Sequence, residues 1–322
     1  MCKLFCPLFV LAWLLCGTVW SQGADLPREL RHAQDLENAR HYDEAMTIYR
    51  AVLQSEPQSL PANLGLGRAC FYSHQYPEAV DRFGHALKLS PGNADVVEWL
   101  ARSYLRNMEP QKAIDLLHRE DAIAGHSAWA HLLLAHAFDA QDELDDARSE
   151  LARALALDPQ CRGAHFALGF IAWTIRDLAT AEKELTLELT LDMHEYLAFY
   201  YLAEVLELEG KLDEAESVLN KMGSDAPETY FLHFALGKWQ ERKQNFSAAA
   251  AEFRAAIRMD PKQSEAHYHL AIVLLKLGQT AQADDEFDRS NQLRAGMKSG
   301  VRQGMGRMRP RVPDFDAPPM GN

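Results

Sequence analysis

Apolar side chains recur along this chain at helical intervals, not in the alternation of a strand. In residues 231–261, FLHFALGKWQERKQNFSAAAAEFRAAIRMDP, four positions share one helical face: His233, Leu236, Gly237 and Gln240 fall at i, i+3, i+4 and i+7. A polar turn follows at Arg242–Asn245. Phe246, Ala249, Phe253 and Ala256 then form the apolar stripe of a second helix, which Pro261 stops. The pattern predicts two antiparallel helices joined by a short turn.

The word His-Phe-Ala-Leu-Gly stands at 165–169 and again at 233–237, and half of that interval organises the whole chain. Steps of 34 from Ala45 land on Ala79, Ala113, Ala147, Ala181, Ala215, Ala249 and Ala283. Steps of 34 from Ala33 give Gly67, Ala101, Ala135, Gly169, Ala203, Gly237 and Ala271, small without exception. Prolines close most units at 57, 91, 159, 227 and 261, with Gly125 and Met193 interrupting the series. The small residues have a physical reason. Two helices in a tight hairpin approach closely only where neither carries bulk, and overpacking such a contact costs roughly 1–3 kcal/mol.

With Leu66-Gly67, Tyr76, Ala79, Phe83, Ala86 and Pro91 in the unit at 60–93, the chain resembles the tetratricopeptide repeat family. The resemblance implies an all-α, right-handed superhelical solenoid of about eight helix-turn-helix repeats, each of about 34 residues. It also implies a binding scaffold and not an enzyme, the rival reading being a substrate platform of an enzyme complex. The units are expected at 26–59, 60–93, 94–127, 128–161, 162–195, 196–229, 230–263 and 264–297, followed by a disordered tail over 298–322. Glu120 and Glu188 depart from the pattern, standing where alanine is usual, so those two joints are expected to pack differently.

Charge narrows the partners. The net charge of −13 argues against a surface built to neutralise phosphates, so nucleic acid is not an expected partner. Only the tail is locally basic, through Lys298, Arg302, Arg307, Arg309 and Arg311 against Asp314 and Asp316. At the other end, Lys3 precedes an apolar run from Leu4 to Val19, and Val19-Trp20-Ser21 offers a cleavage site. That order predicts a signal peptide over 1–21 and an exported protein, periplasmic or secreted. The alternative is a retained anchor with the repeats outside the cytoplasm, which is the one way a membrane becomes a partner. The apolar run from Leu4 to Val19 is shorter than the ~20 residues that a spanning helix needs. Cys70 and Cys161 remain after such a cut, and two distant thiols make no disulfide framework, so both are expected free and packed.

Candidate chemistry is sparse. His131, His165, His233 and His267 share one repeat position, as do Glu29, Asn63, Val97 and Phe199. Neighbouring units lie about 8–10 Å apart, too far for two such histidines to share a zinc that holds nitrogens at ~2.0–2.1 Å. They are expected to pack within the hairpins, with no metal. No HExxH, G-x-S-x-G, phosphate-binding glycine loop or CxxC pair occurs, and no cofactor is expected. By resemblance to the family, a stripe on each first helix faces the concave side, where peptides bind. That stripe nominates Trp129, Phe166, Phe170, Trp173, Tyr200, Phe234 and Tyr268, with Arg68 and Arg102 at its early end, as partner-binding residues. Within HFALG, Phe166 is expected to face the groove and Leu168 the hairpin. The lysine and asparagine clamp by which co-chaperone members hold a terminal carboxylate is not reproduced, since Leu64 and Arg68 stand at those places.

The N-terminal pattern has a direct test. N-terminal sequencing of the soluble protein is expected to begin near Gln22, and an intact Met1 on a membrane-extracted form would show the anchor instead.

Overall fold

In the computed structural model, residues 19–120, 122, 125–191, 196–225 and 230–300 are described. They form sixteen α-helices and, among the described residues, no strand. The first compact unit extends to Leu157 and holds α1 (Val19–Asn38), α2 (Tyr42–Ser55), α3 (Leu60–Tyr72), α4 (Tyr76–Leu89), α5 (Ala94–Arg106), α6 (Pro110–Arg119), α7 (Ala128–Ala140) and α8 (Leu144–Leu157). The second, from Asp158, holds α9 (Ala164–Thr174), α10 (Leu178–Leu191), α11 (Tyr196–Leu208), α12 (Leu212–Asp225), α13 (Tyr230–Arg242), α14 (Phe246–Met259), α15 (Ser264–Lys276) and α16 (Thr280–Gly300). Odd-numbered helices are the first members of hairpins and even-numbered helices the second.

Each hairpin turns in the same way. One residue per turn lies in the left-handed region: Arg40, His74, Met108, Asp142, Arg176, Gly210, Gln244 and Gly278, all at φ between 59° and 80° and all at one repeat position. The next residue's N–H reaches back five positions to a carbonyl of the first helix, as from Gln75 to Cys70 and from Asn245 to Gln240, each at 2.8 or 2.9 Å. This closure satisfies the carbonyls that a helix end leaves open. Only Gly210 and Gly278 adopt the conformation without a Cβ penalty, so in the six other turns tertiary packing holds a backbone that L residues disfavour.

The hairpin then zips on the small residues. A Cβ on Gly67 would lie 2.7 Å from the Phe83 ring, and one on Gly237 would lie 2.6 Å from the Phe253 ring. Phe83 and Phe253 are fully buried. The alanine series of the second helices is buried throughout, from Ala45 to Ala283. Within each unit the first helices of neighbouring hairpins also touch one another, whereas second helices pack chiefly on first helices. First helices therefore line the inner side of each unit.

Glu188, expected as an irregular joint, has a specific task. Its side chain is buried, and its two carboxylate oxygens accept from the backbone N–H groups of Gly163 at 3.2 Å and Phe166 at 3.1 Å. Helix α9 begins after Gly163, whose φ is +81° and which has no side chain to cap with. A carboxylate from α10 supplies the missing cap and places negative charge at the positive end of the helix. At α5 the cap is local: the Asn93 side chain accepts from the N–H groups of Asp95 and Val96. Of the tail expected over 298–322, helix α16 takes in the residues up to Gly300, and the remainder lies outside the described residues. Residues 1–18 of the expected signal peptide also lie outside them. Among the described residues no helix is long and apolar enough to cross a membrane.

Two outcomes follow from this packing. Gly84 sits inside α4 with nothing within 4 Å of an added Cβ, so Gly84→Ala is expected to stabilise by about 0.5–1 kcal/mol. Gly237→Val, pressed against Phe253, is expected to destabilise by roughly 1–3 kcal/mol. Urea melts of the two variants should therefore move in opposite directions. Glu188→Ala is expected to cost roughly 1–3 kcal/mol, because it leaves two buried donors unpaired. Amide exchange should quicken first at the start of α9.

Candidate interaction face of the first helices

Aromatic rings concentrate on the first helices of the second unit. Phe166, Tyr200, Phe234 and Tyr268 occupy one repeat position in successive hairpins. Their rings continue through neighbours into a ladder: Phe166 and Phe170 at 6.0 Å, Phe170 and Tyr201 at 4.9 Å, Trp173 and Tyr201 at 4.9 Å. Tyr200 then meets Phe234 at 6.4 Å, and Phe234 meets His269 at 5.6 Å.

Burial divides the nominated residues. Phe166 and Phe170 have no exposed area and Phe234 retains 5 %, which corrects the expectation that they face a partner. They pack on the next first helix. Leu168 is the half-buried member of that turn, the reverse of the expected orientation. The sequence of α9, AHFALGFIAWT, has no polar face, so periodicity alone could not tell its contact with a neighbouring hairpin from an open side. Trp129, Trp173 and Tyr200 are half-buried. Tyr268 remains 38 % exposed, as does Phe231, and Leu275 is 45 % exposed. Tyr268 rests against Phe287 of α16 at 5.8 Å, and the Arg294 guanidinium lies 5.1 Å from its ring centre.

The charged residues nominated on this face are bound into the fold. Arg68 donates to both carboxylate oxygens of Glu37, at 2.5 and 3.1 Å, tying α3 to α1. Arg102 pairs with Glu98 on its own helix at 2.6 Å. In the second unit Lys238 pairs with Glu204, Arg242 with Glu207 at 2.7 Å, and His269 with Glu241 at 2.9 Å. Each of these three links one first helix to the next. Burial raises the Glu207 carboxyl above its usual range, and the nearby Arg242 and Lys238 only partly offset this. Tyr200, Glu204, Glu207 and Lys238 rim a shallow surface cleft.

The repeated histidines show a feature that composition did not reveal. Each Nδ1 at position i faces a carboxylate oxygen at i+19, on the second helix of its hairpin. The distances are 2.6 Å for His131 and Glu150, 2.7 Å for His165 and Glu184, 2.8 Å for His233 and Glu252, and 2.6 Å for His267 and Glu286. Burial pushes the Glu184 carboxyl up, but hydrogen bonds from Lys183 and His165 outweigh it and leave it below its ordinary value. Where the histidine is replaced by Val97 or Phe199, the corresponding place on the second helix holds Leu116 or Val218. In these six hairpins the slot takes either a polar pair or an apolar pair, whereas Glu29 stands in register with Ile48 and Asn63 with Arg82. That coincidence was present in the sequence, but its two members lie on different helices. Among the described residues no group of three or more His, Cys, Asp or Glu side chains converges as a metal site. Cys70 and Cys161 are free and buried; burial pushes the Cys70 thiol up to about 12 and that of Cys161 up to about 11. Neither thiol is a ready nucleophile at neutral pH.

Known proteins with this geometry are repeat proteins. Residues 73–154 match the family described as anaphase-promoting complex, cyclosome, subunit 3, and residues 132–194 and 242–294 match two tetratricopeptide repeat families. Superkiller protein 3 of Schizosaccharomyces pombe is 24 % identical over 274 residues, which is 80 % of this chain and 20 % of the relative. The chain thus spans about a fifth of that relative's length. A crystal structure of a tetratricopeptide repeat protein from Parabacteroides merdae superposes with a TM-score of 0.63 at 15 % identity, covering 78 % of this chain and 99 % of the other. The human IFIT1 dimer with m7Gppp-AAAA superposes with a TM-score of 0.58 at 16 % identity, covering 84 % and 72 %. The repeat matches, the paired helices and the left-handed turn recurring once in every unit together support a tetratricopeptide-repeat protein.

Proposed function

We propose that this chain is an exported, non-enzymatic scaffold that holds a protein or peptide partner against the first helices of its repeats. The observation that carries the reading is the apolar area left exposed there. Phe231, Tyr268 and Leu275 stand open on α13 and α15, while the rings of Phe166 and Phe234, equivalent to Tyr268 in earlier hairpins, are covered. A partially exposed tyrosine with a packed base is an effective anchor, because it gains contact area at low entropic cost. The families matched support protein binding in general, and the net charge of −13 opposes a nucleic-acid partner. Export rests on the N-terminal order of charge, apolar run and small residues.

Site-specific photo-crosslinking of the full chain in its native cells tests the face. Probes at Phe231, Tyr268 and Leu275 are expected to give discrete adducts, and probes at the exposed Ala251 and Arg254 of α14 are not. Equal labelling from both sets, or none from the first, would place the partner elsewhere. On the captured partner, Tyr268→Ala is expected to weaken binding about tenfold, ~1.4 kcal/mol, at a stability cost below ~1 kcal/mol. Phe166→Ala is expected to lose about 3–5 kcal/mol of stability instead, because its ring is core.

A further inference from the structure

Two of the four histidines differ from the others in what their second ring nitrogen meets. Nε2 of His267 faces the Pro261 carbonyl oxygen at 3.2 Å, and Nε2 of His131 faces the Gly125 carbonyl oxygen at 3.4 Å. Their Nδ1 atoms face Glu286 and Glu150, both at 2.6 Å. Both nitrogens of each ring therefore point at acceptors. A neutral imidazole has one N–H and one lone pair, so it satisfies one acceptor and sets its lone pair against the other. Only the doubly protonated ring donates to both. We propose that His131 and His267 carry both ring protons and act as protonation-dependent latches, each joining a first helix, a second helix and the segment that leads into that hairpin.

The surroundings agree with this assignment. Facing His131 are Glu150 from α8 and the Gly125 carbonyl, and the other oxygen of Glu150 accepts from Arg153 at 2.7 Å. Facing His267 are Glu286 from α16 and the Pro261 carbonyl. On the same seam the Ser290 hydroxyl donates to the Ser264 carbonyl at 2.8 Å. Both histidines are buried, at 8 % and 6 % exposure. His165 and His233 are internal controls. His165 faces Glu184, which also accepts from Lys183, and His233 faces Glu252. The buried Nε2 of His233 has no partner. A neutral ring with its proton on Nδ1 serves each of these.

The latch has a defined sign with pH. A proton held in the folded state and released on unfolding makes stability fall as pH rises. Loss of the Nε2–H bond frees Gly125 and Pro261, the backbone just before α7 and α15, so the segments leading into these hairpins loosen while the hairpins stay zipped.

Ring-nitrogen NMR of the full chain with 15N-labelled histidine at pH 7 tests the assignment without any substitution in the latches. His131 and His267 are expected to show both nitrogens protonated, and His165 and His233 one protonated and one bare. A bare nitrogen at both 131 and 267 overturns the proposal. Pairing His267→Phe with Glu286→Val copies the Phe199–Val218 arrangement the fold already uses. As pH rises from about 6 to about 8, through and above the ordinary histidine range of ~6.5, the melting temperature of the native chain is expected to fall relative to this double variant. Parallel curves through that range would refute the latch at His267.

Discussion

The contact on which this chain depends is the meeting of a small residue on a first helix with a bulky one on the second. At Gly67 and Phe83, and again at Gly237 and Phe253, the ring occupies the space a Cβ would need. That intimacy fixes the distance between the two helices, and the distance fixes the turn. A turn short enough to allow it needs one residue in the left-handed region, and the chain accepts Arg40, His74, Met108, Asp142, Arg176 and Gln244 there. The strain disfavours each of these by about 1–2 kcal/mol relative to an ordinary helical residue. Burial of each zipped hairpin outweighs it.

Once hairpin geometry is set, the position one turn earlier on the first helix meets the second helix at a fixed point, i to i+19. In six of the eight hairpins that point takes one of two chemistries. Val97 with Leu116 and Phe199 with Val218 fill it with apolar volume, while four hairpins fill it with imidazole and carboxylate. Replacing one member alone would strand either a buried carboxylate or a half-satisfied ring. The two members are therefore exchangeable only together, which explains why every histidine at this repeat position comes with its glutamate.

How far the sequence could be read follows from the same geometry. Helix pairs, turns and repeat length were readable because they rest on local periodicity and on a small residue that admits no substitute. Which first-helix residues face outwards was not. Helix α9 packs on its own second helix and on the next first helix, α11, and carries no polar stripe to mark an open side. Phe166 and Tyr268 hold equivalent positions, yet one is fully buried and the other 38 % exposed. The difference lies in the neighbour and not in the residue: Tyr201 covers Phe166, and α15 has no following first helix among the described residues. Glu188 was unreadable for another reason. A lone carboxylate in an alanine slot has meaning only with Gly163, on the far side of the hairpin, which lacks a cap of its own.

Charge on the first helices obeys the same neighbour logic. Read along the sequence, Arg68 and Arg102 early and Glu204, Glu207 and Glu241 late form a gradient that could steer a charged ligand. In the fold Arg68, Arg102 and Glu207 each have an opposite charge within 2.5–2.7 Å, Glu204 faces the ammonium of Lys238, and Glu241 faces the His269 ring at 2.9 Å, so the gradient is largely spent inside the fold. Pairs that cross from one first helix to the next resist the sliding of hairpins past each other. Glu207, 7 % exposed and opposite Arg242, is the most enclosed of the paired acids that cross between first helices. In the proposed scaffold its role is indirect: it fixes the surface on which Phe231 and Tyr268 are presented, and leaves the contact itself to apolar area. Under that proposal the face would select partners by shape and aromatic anchoring more than by charge, and its affinity should depend only weakly on ionic strength.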